Sequence, residues 1–224
     1  MNKKFELLLD DTITIFGVKL FRIKALISFR DVEKGELGGY VEKEDNLGFS
    51  GNAWVSGNAR VYGDARVYGD AQVYGNAWVY GDAQVYGNAW VSGNARVYGD
   101  ALVSGNAWVS GNARVYGDAE VSGDAQVSGD AEVSGNAWVY GNAQVYGDAQ
   151  VSGDADYIVF KNNWSSGRYF TYTKSNKMWR VGCFYGTGQE LINKAYQDSE
   201  VSGKHYEAYV EFVEKLEKLE ETND

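Results

Sequence analysis

The hydrophobic pattern of this chain is dominated by a repeat of six residues. From Gly51 to Ser152 the chain consists of seventeen hexads of the form Gly-[Asn/Asp]-Ala-x-Val-[Ser/Tyr]. The Ala and Val positions are two residues apart, so on an extended segment both point to one side, while x and Ser/Tyr point to the other. Glycine followed by Asn or Asp favours a bend, because these residues tolerate positive φ. The pattern therefore predicts one short strand and one corner per hexad, and the recurring glycine argues against a helix.

A longer repeat sets the number of strands in each turn. The fifteen residues GNAWVSGNARVYGDA begin at Gly51, Gly87 and Gly105, at offsets of 36 and 18. Both offsets are multiples of 18, and three hexads per turn would place residues 18 apart directly above one another. We therefore expect a triangular parallel β-helix with Ala and Val stacked in a thin core. The segment DNLGFS at 45–50 is a degraded hexad, with Leu47 in the Ala slot and Phe49 in the Val slot.

The repeat and the segment before it resemble a known family. The motif VSGNARVYG and the leader RIKALISFRDVEKGELGGYVEKEDNLG at 22–48 look like the YdcK-type β-solenoid proteins of bacteria and their phages. The hexads also resemble the hexapeptide repeat of left-handed β-helix proteins, although glycine here follows the aliphatic position by two residues rather than one. The resemblance covers about residues 20–155. It implies a left-handed coil, frequent self-association, a phage or prophage origin and no settled activity.

The sequence on either side of the repeat predicts a cap and a separate module. Strand patterns within 4–29 predict an N-terminal β cap and a first irregular turn of the solenoid over 1–44, and the regular solenoid then spans 45–155. Residues 156–224 are predicted to form a small α+β module. The expected fold class is therefore mainly β: a triangular parallel β-helix, left-handed by resemblance, with an N-terminal β cap and a small C-terminal α+β module.

The C-terminal module is predicted to combine a three-stranded meander with two helices. Aromatic-rich strand patterns lie at 157–161, 168–173 and 178–184. A capping box, Thr187-Gly188-Gln189-Glu190, predicts the start of one helix, and apolar helical spacing from about residue 203 predicts the second. We expect the apolar stripe of the second helix to pack on the meander, the alternative being a second subunit.

Outward side chains that are 18 residues apart lie on the same face, which gives the solenoid three faces. The second face, which begins at Arg60, is the main candidate for binding. It combines arginine, tryptophan and tyrosine on successive layers, residue types that dominate binding hot spots. Such a strip can stack on a sugar, a base or another protein, whereas the simpler alternative is that the rings only stabilise their own ladder. The candidate residues are Arg60, Tyr62, Trp78, Tyr80, Arg96, Tyr98, Arg114 and Tyr116.

Two weaker candidate sites have simple structural explanations. Acidic residues at one corner recur every 18 residues, and such a column of carboxylates could hold calcium. Turn residues that are solvated and bond to local backbone explain the same pattern, so we predict no metal site. The start of the first predicted helix, YGTG at 185–188, could bind an anion, but a helix cap accounts for it equally. The corner column is Asp64, Asp82, Asp100, Asp118, Asn136 and Asp154, and the anion residues are Arg168, Arg180, Gly186, Thr187 and Gly188, with Lys174 near them.

Charge and composition narrow the classes of partner. The net charge is −10, of which the repeat carries −6, so a basic nucleic-acid footprint is disfavoured. Acidic residues interrupt the first apolar stretch and no stretch could span a membrane, so we expect a cytoplasmic protein, in the host cell if phage encoded. The single cysteine, Cys183, excludes an internal disulfide, and we expect it to be a buried structural thiol.

The chemistry of enzymes with this fold is missing from the sequence. Acyltransferases and carbonic anhydrases of the left-handed β-helix type use histidines, whereas this chain has one histidine, His205, outside the coils. The hexads also run from 51 to 152 without an inserted loop that could build a substrate pocket. We therefore predict no catalytic residue, no cofactor and no enzymatic activity.

Three functions stay open at this point. We favour a structural scaffold or a protein-binding and oligomerisation module, expected to form a dimer or trimer and to bind a host protein. The second is a degenerate acyltransferase. The third is an acidic inhibitor that mimics nucleic acid, although the three arginines of the second face count against a uniform mimic.

Overall fold

The fold is mainly β, as predicted: N-terminal strands, a parallel β-solenoid, and a C-terminal part with a small antiparallel sheet and helices. The computed structural model describes residues 3–221, beginning with β1 (Phe5–Ile15), β2 (Val18–Ala25), β3 (Leu37–Val41) and a 3₁₀ turn at Glu44–Asn46. Each following hexad forms a two-residue strand from its x and Val positions. These strands are β4 (Trp54–Val55), β5 (Arg60–Val61), β6 (Arg66–Val67), β7 (Gln72–Val73), β8 (Trp78–Val79), β9 (Gln84–Val85), β10 (Trp90–Val91), β11 (Arg96–Val97), β12 (Leu102–Val103), β13 (Trp108–Val109), β14 (Arg114–Val115), β15 (Glu120–Val121), β16 (Gln126–Val127), β17 (Glu132–Val133), β18 (Trp138–Val139), β19 (Gln144–Val145) and β20 (Gln150–Val151).

The short strands form three parallel sheets, which confirms three strands per layer. Every third strand is paired, so one sheet runs from β4 to β19, a second from β5 to β20 and a third from β6 to β18. Paired residues are 18 apart; Trp54, for example, pairs with Gln72. The solenoid makes about six turns, and the three predicted faces are its three sheets. Left-handedness stays a prediction from the resemblance.

The interior of the coils is built from the two small apolar positions of each hexad. Every Ala and Val in these positions, from Ala53 to Val151, has an exposed fraction of 0%. The corner glycines from Gly51 to Gly147 have φ between +60° and +79°, the conformation that the Gly-Asn and Gly-Asp pairs predict. Because successive side chains of a strand point to opposite sides, the x and Ser/Tyr positions of each hexad lie on the surface while Ala and Val point inward.

The first regular turn is preceded only by an irregular, partial rung, formed by β3 and Leu47, and two side chains supply some of the hydrogen-bond donors that a regular rung would provide. Lys4 Nζ donates to the Ala53 carbonyl at 2.8 Å, and Asn46 Nδ2 donates to the Gly63 and Ala65 carbonyls at 3.1 and 2.8 Å. Backbone amides donate to other carbonyls of this turn. The Tyr40 amide donates to the Ala59 carbonyl at 2.9 Å, that of Glu42 to Val61 at 3.1 Å, and that of Gly48 to Val67 at 2.8 Å.

The degraded hexad at 45–50 enters the coil two residues out of the predicted register. Leu47 pairs with Val67 and is buried, so it fills the Val slot, and the prediction of the Ala slot was wrong. Phe49 stacks on Phe5, with ring centroids 4.9 Å apart, instead of filling the Val slot. The cause is the 3₁₀ turn at Glu44–Asn46, which replaces the regular corner.

The coils end at a 3₁₀ turn, Asp154–Asp156, and a second compact unit spans Tyr157–Asp224. Its antiparallel sheet contains β21 (Tyr157–Lys161), β22 (Tyr169–Thr173), β23 (Met178–Val181) and β24 (Phe184–Gly186), in that order. Two helices follow, α1 (Gly188–Asp198) and α2 (Glu200–Glu221). Four strands stand where three were predicted, because a turn at Gly182 (φ +58°) and Cys183 splits the last one.

The apolar side of α2 packs on the sheet of this unit, as predicted, and α1 contributes to the same core. Trp179 of β23, Leu191 of α1 and Val210 of α2 belong to one buried cluster. The capping box is present, because Thr187 accepts from the Glu190 amide and the Glu190 side chain accepts from the Thr187 amide. Among residues 3–221, no helix is long and apolar enough to cross a membrane.

Candidate binding surface

The four tyrosines of the second face form a ladder of parallel rings. The ring centroids of Tyr62 and Tyr80 are 5.1 Å apart, those of Tyr80 and Tyr98 4.9 Å, and those of Tyr98 and Tyr116 5.0 Å. The planes of adjacent rings differ by 2–3°. This spacing follows from the rung separation of parallel strands, so the predicted vertical register is confirmed.

The neighbouring column places a tryptophan between two arginines. The guanidinium carbons of Arg60 and Arg96 lie 4.7 and 5.5 Å from the ring centre of Trp78, within cation–π range. One rung further, Arg114 pairs with Glu132 at 2.9 Å, and the Tyr116 hydroxyl donates to the same carboxylate at 3.3 Å. The surface defined by these eight predicted residues is called the Tyr–Arg strip below.

The strip carries a net positive charge on an acidic protein. Burial raises the pKa of Tyr62, Tyr80 and Tyr98 above the usual range, with the nearby arginines opposing this, so the rings are neutral at physiological pH. Three arginines face a single paired glutamate along the two columns. All four tyrosines are partly exposed, which leaves their edges open to a partner.

A residue that sequence reasoning missed extends the strip. Phe16 lies at the turn between β1 and β2, is 87% exposed, and meets the Trp78 ring edge to face at 6.3 Å. Its φ of +50° and the +83° of Gly17 fit the hairpin turns that need two positive φ angles. Such turns favour Asn-Gly over Phe-Gly, so Gly17 was only a weak turn signal, and the bulky Phe16 adopts a left-handed conformation that is energetically unfavourable.

The residues of the predicted anion site are not brought together. The Glu190 carboxylate already accepts hydrogen bonds from the Thr187 amide at 2.8 Å and from the Thr187 hydroxyl at 3.0 Å. These two bonds lower the pKa of Glu190. Gly186 and Gly188 flank this cap. Arg168 lines a different cleft, beside Gly182 and Phe184. Arg180 reaches the Cys183 carbonyl at 3.5 Å and Lys174 pairs with Glu220 at 2.7 Å. The chain's own carboxylate thus stands where the anion was expected.

The acidic corner column shows local pairing rather than a shared site. Asp64 accepts from Lys43 Nζ at 2.7 Å, and this bond raises the pKa of Lys43 and lowers that of Asp64. At the other end, the Asp154 carboxylate accepts from the Trp138 amide at 2.9 Å. Within the part of the chain that the structure describes, no group of three His, Cys, Asp or Glu side chains could hold a metal ion.

The single histidine and the single cysteine both lie in the second unit. The His205 ring stacks on Trp164, with centroids 4.4 Å apart, and its Nδ1 is 2.7 Å from the Val201 carbonyl. Cys183 is an exposed free thiol, so the prediction of a buried thiol was wrong. It lies in the turn after Gly182, where the backbone reverses at the edge of the sheet.

Comparison with known proteins identifies the repeat. The family model of the YdcK β-solenoid repeat matches residues 53–69, 59–72, 71–87, 83–96, 95–111, 107–123 and 125–141. A search of curated proteins found no significant match. The matched segments cover the coils that carry the Tyr–Arg strip.

Proposed function

We propose that this chain, whose coils consist of YdcK-type β-solenoid repeats, is a non-catalytic scaffold that binds protein through the Tyr–Arg strip. One observation carries the proposal: four parallel tyrosine rings on successive rungs stand beside a tryptophan held between two arginines. A rigid, flat and partly exposed surface of these residue types loses little entropy on binding and is typical of interface hot spots.

The chemistry of the strip favours an acidic partner surface. Its arginines have one paired carboxylate between them, whereas the whole chain has a charge of −10. Charge complementarity would steer a flat, acidic protein surface to the strip. A second copy of this chain and a host protein are the two sources we propose for that surface, and the phage origin that the resemblance implies stays a prediction.

The test compares two double variants that each remove two stacked tyrosines; the first breaks three stacked contacts and the second breaks one. Tyr80→Ala with Tyr98→Ala removes the middle of the strip. Tyr68→Ala with Tyr86→Ala removes a stacked pair of the same geometry, 5.0 Å and 2°, from the third face. Both should lower the melting temperature, since stacked aromatic pairs are worth about 0.5–1.5 kcal/mol each. Only the first should lower the mass measured by light scattering or abolish capture of a host protein.

The same experiment can reject the proposal. If both double variants lose stability and neither changes mass or partner capture, the ladder is only structural. Turnover of acyl-CoA by purified protein, lost in His205→Ala, would instead support a degenerate acyltransferase. Competition with DNA for a host enzyme would support the acidic mimic.

A further inference from the structure

The third face carries a second, shorter ladder that stops at a glycine. Tyr68 and Tyr86 stack with centroids 5.0 Å apart and planes 2° apart. On the preceding rung the equivalent position is Gly48, because its amide donates to the Val67 carbonyl at 2.8 Å just as the Tyr68 amide donates to Val85 at 3.0 Å. A Cβ on Gly48 would lie 3.0 Å from the Tyr68 Cβ, so a larger residue here would need the two rungs to shift slightly apart. The ladder therefore lacks its next ring, and one face of Tyr68 is left without a side chain from that position.

A cleft of about 420 Å³ opens at this place. Its volume lies within the range of about 300–1,000 Å³ that is usual for small-molecule sites. Apolar walls come from Tyr68 and Phe49, and polar groups come from Asp45, Arg66 and Gln84. The cleft belongs to the coil unit and is separate from the Tyr–Arg strip, which lies on another sheet.

The polar groups of the cleft offer both donors and acceptors. The Tyr68 hydroxyl donates to Gln84 Oε1 at 3.0 Å, which directs the Gln84 amide nitrogen to other acceptors. Arg66 is exposed and supplies guanidinium donors, and Asp45 is exposed and supplies a carboxylate. Glu44, also at the cleft, is paired with Lys3. A ligand would therefore meet an aromatic platform with a carboxylate and a guanidinium at its edge.

We propose that this cleft binds a purine base, guanine in particular, stacked on Tyr68 as the next ring of the ladder. A flat heterocycle continues a column of parallel rings, and base–aromatic stacking is a general source of affinity. Guanine presents two adjacent N–H donors, which suit one carboxylate, and the O6 and N7 acceptors, which suit one guanidinium. Arg66 is the one cation among the residues that line the cleft and is assigned here to the base, so the ligand is a nucleobase or nucleoside rather than a nucleotide.

Titration calorimetry on the full chain tests this proposal. The probes are guanosine, adenosine, cytidine, guanosine 5′-monophosphate and methyl glucoside. Guanosine should bind tightest, and the monophosphate more weakly. Tyr68→Ala should weaken guanosine binding by about tenfold or more, whereas Tyr68→Phe, which keeps the ring, should retain it. Tyr140→Ala, an exposed tyrosine in the same column near the far end of the coils, is the matched control and should leave affinity unchanged.

A second variant keeps the test valid if Tyr68→Ala misfolds. Asp45 is exposed, so Asp45→Asn leaves the coils folded and should weaken guanosine much more than cytidine. Wild-type protein that fails to bind millimolar guanosine would overturn the proposal. Binding of methyl glucoside as tight as that of guanosine, or Asp45→Asn with unchanged guanosine affinity, would overturn it equally.

Discussion

Lys4 shows how a single buried charge can close the end of a solenoid. Its side chain is 1% exposed, its ammonium donates to the Ala53 carbonyl, and it lies 5.0 Å from the ring centre of Phe29. Burial lowers the pKa of Lys4 from 10.5 to about 8, and the nearby Asp70 carboxylate only partly opposes this. The hydrogen bonds satisfy carbonyls that have no regular preceding rung, so the ion is retained despite its desolvation.

This pKa shift makes stability depend on pH in a defined direction. The folded pKa is about 8 and the unfolded value 10.5, so the unfolded chain binds more protons between these values and stability rises with pH. From pH 8 to pH 10, wild type should gain about 2 kcal/mol in free energy of unfolding relative to Lys4→Met. Urea unfolding of both proteins at several pH values measures this. Parallel pH profiles would show that Lys4 is not buried as a charged group.

At the scale of the element, the corner glycines combine two separate constraints. Gly105 and Gly141 both have positive φ, +67° and +65°, and both precede an asparagine. A Cβ on Gly105 would lie 2.8 Å from the Gly123 amide nitrogen, whereas a Cβ on Gly141 would have no described atom within 4 Å. The two positions therefore separate the cost of the backbone conformation from the cost of rung contact.

Alanine at these two corners should destabilise to different extents. Gly141→Ala should lower the free energy of unfolding by about 1–2 kcal/mol, the cost of placing alanine in the left-handed conformation. Gly105→Ala also pushes a methyl group into the backbone of the next rung, which should add about 1–3 kcal/mol. Denaturant unfolding of both variants gives the comparison. Equal losses would mean that adjacent rungs can separate freely at the corners.

The same elements show what the sequence could and could not predict. Strand positions, faces and the tyrosine ladder follow from a period of six and a longer period of 18, because each hexad repeats one local geometry. Where the repeat decays, local pattern is not enough. Leu47 shifted register because a 3₁₀ turn replaced a corner, and Phe16 reached Trp78 through a hairpin turn without the usual residues. The cleft at Tyr68 is lined by the 3₁₀ turn and the shifted segment that follows it, so it was not predicted.

At the scale of the whole coil region, stability accumulates along one dimension. Each rung hydrogen-bonds only to the rungs before and after it, as in other solenoids. The inward Ala and Val positions are the same on every rung, and only the outward columns distinguish one rung from another. A complete rung is therefore a removable unit, whereas a fragment of a hexad is not.

Two deletions test this, and the larger one should do less damage. Removing Gly87–Ser104 takes out 18 residues, one full rung, and brings Tyr80 against Tyr116 and Val85 against Val121 with every column preserved. Removing Gly87–Ala95 takes out nine, so that Val97 follows Val85 at a spacing of three with no glycine corner between them. The shorter deletion should cost at least about 2 kcal/mol more in free energy of unfolding, because inward positions lose their register. Chemical denaturation followed by circular dichroism compares the two. A nine-residue deletion as stable as the full-rung deletion would mean that the coils tolerate loss of their period, and that the 18-residue register is not what holds the outward columns in line.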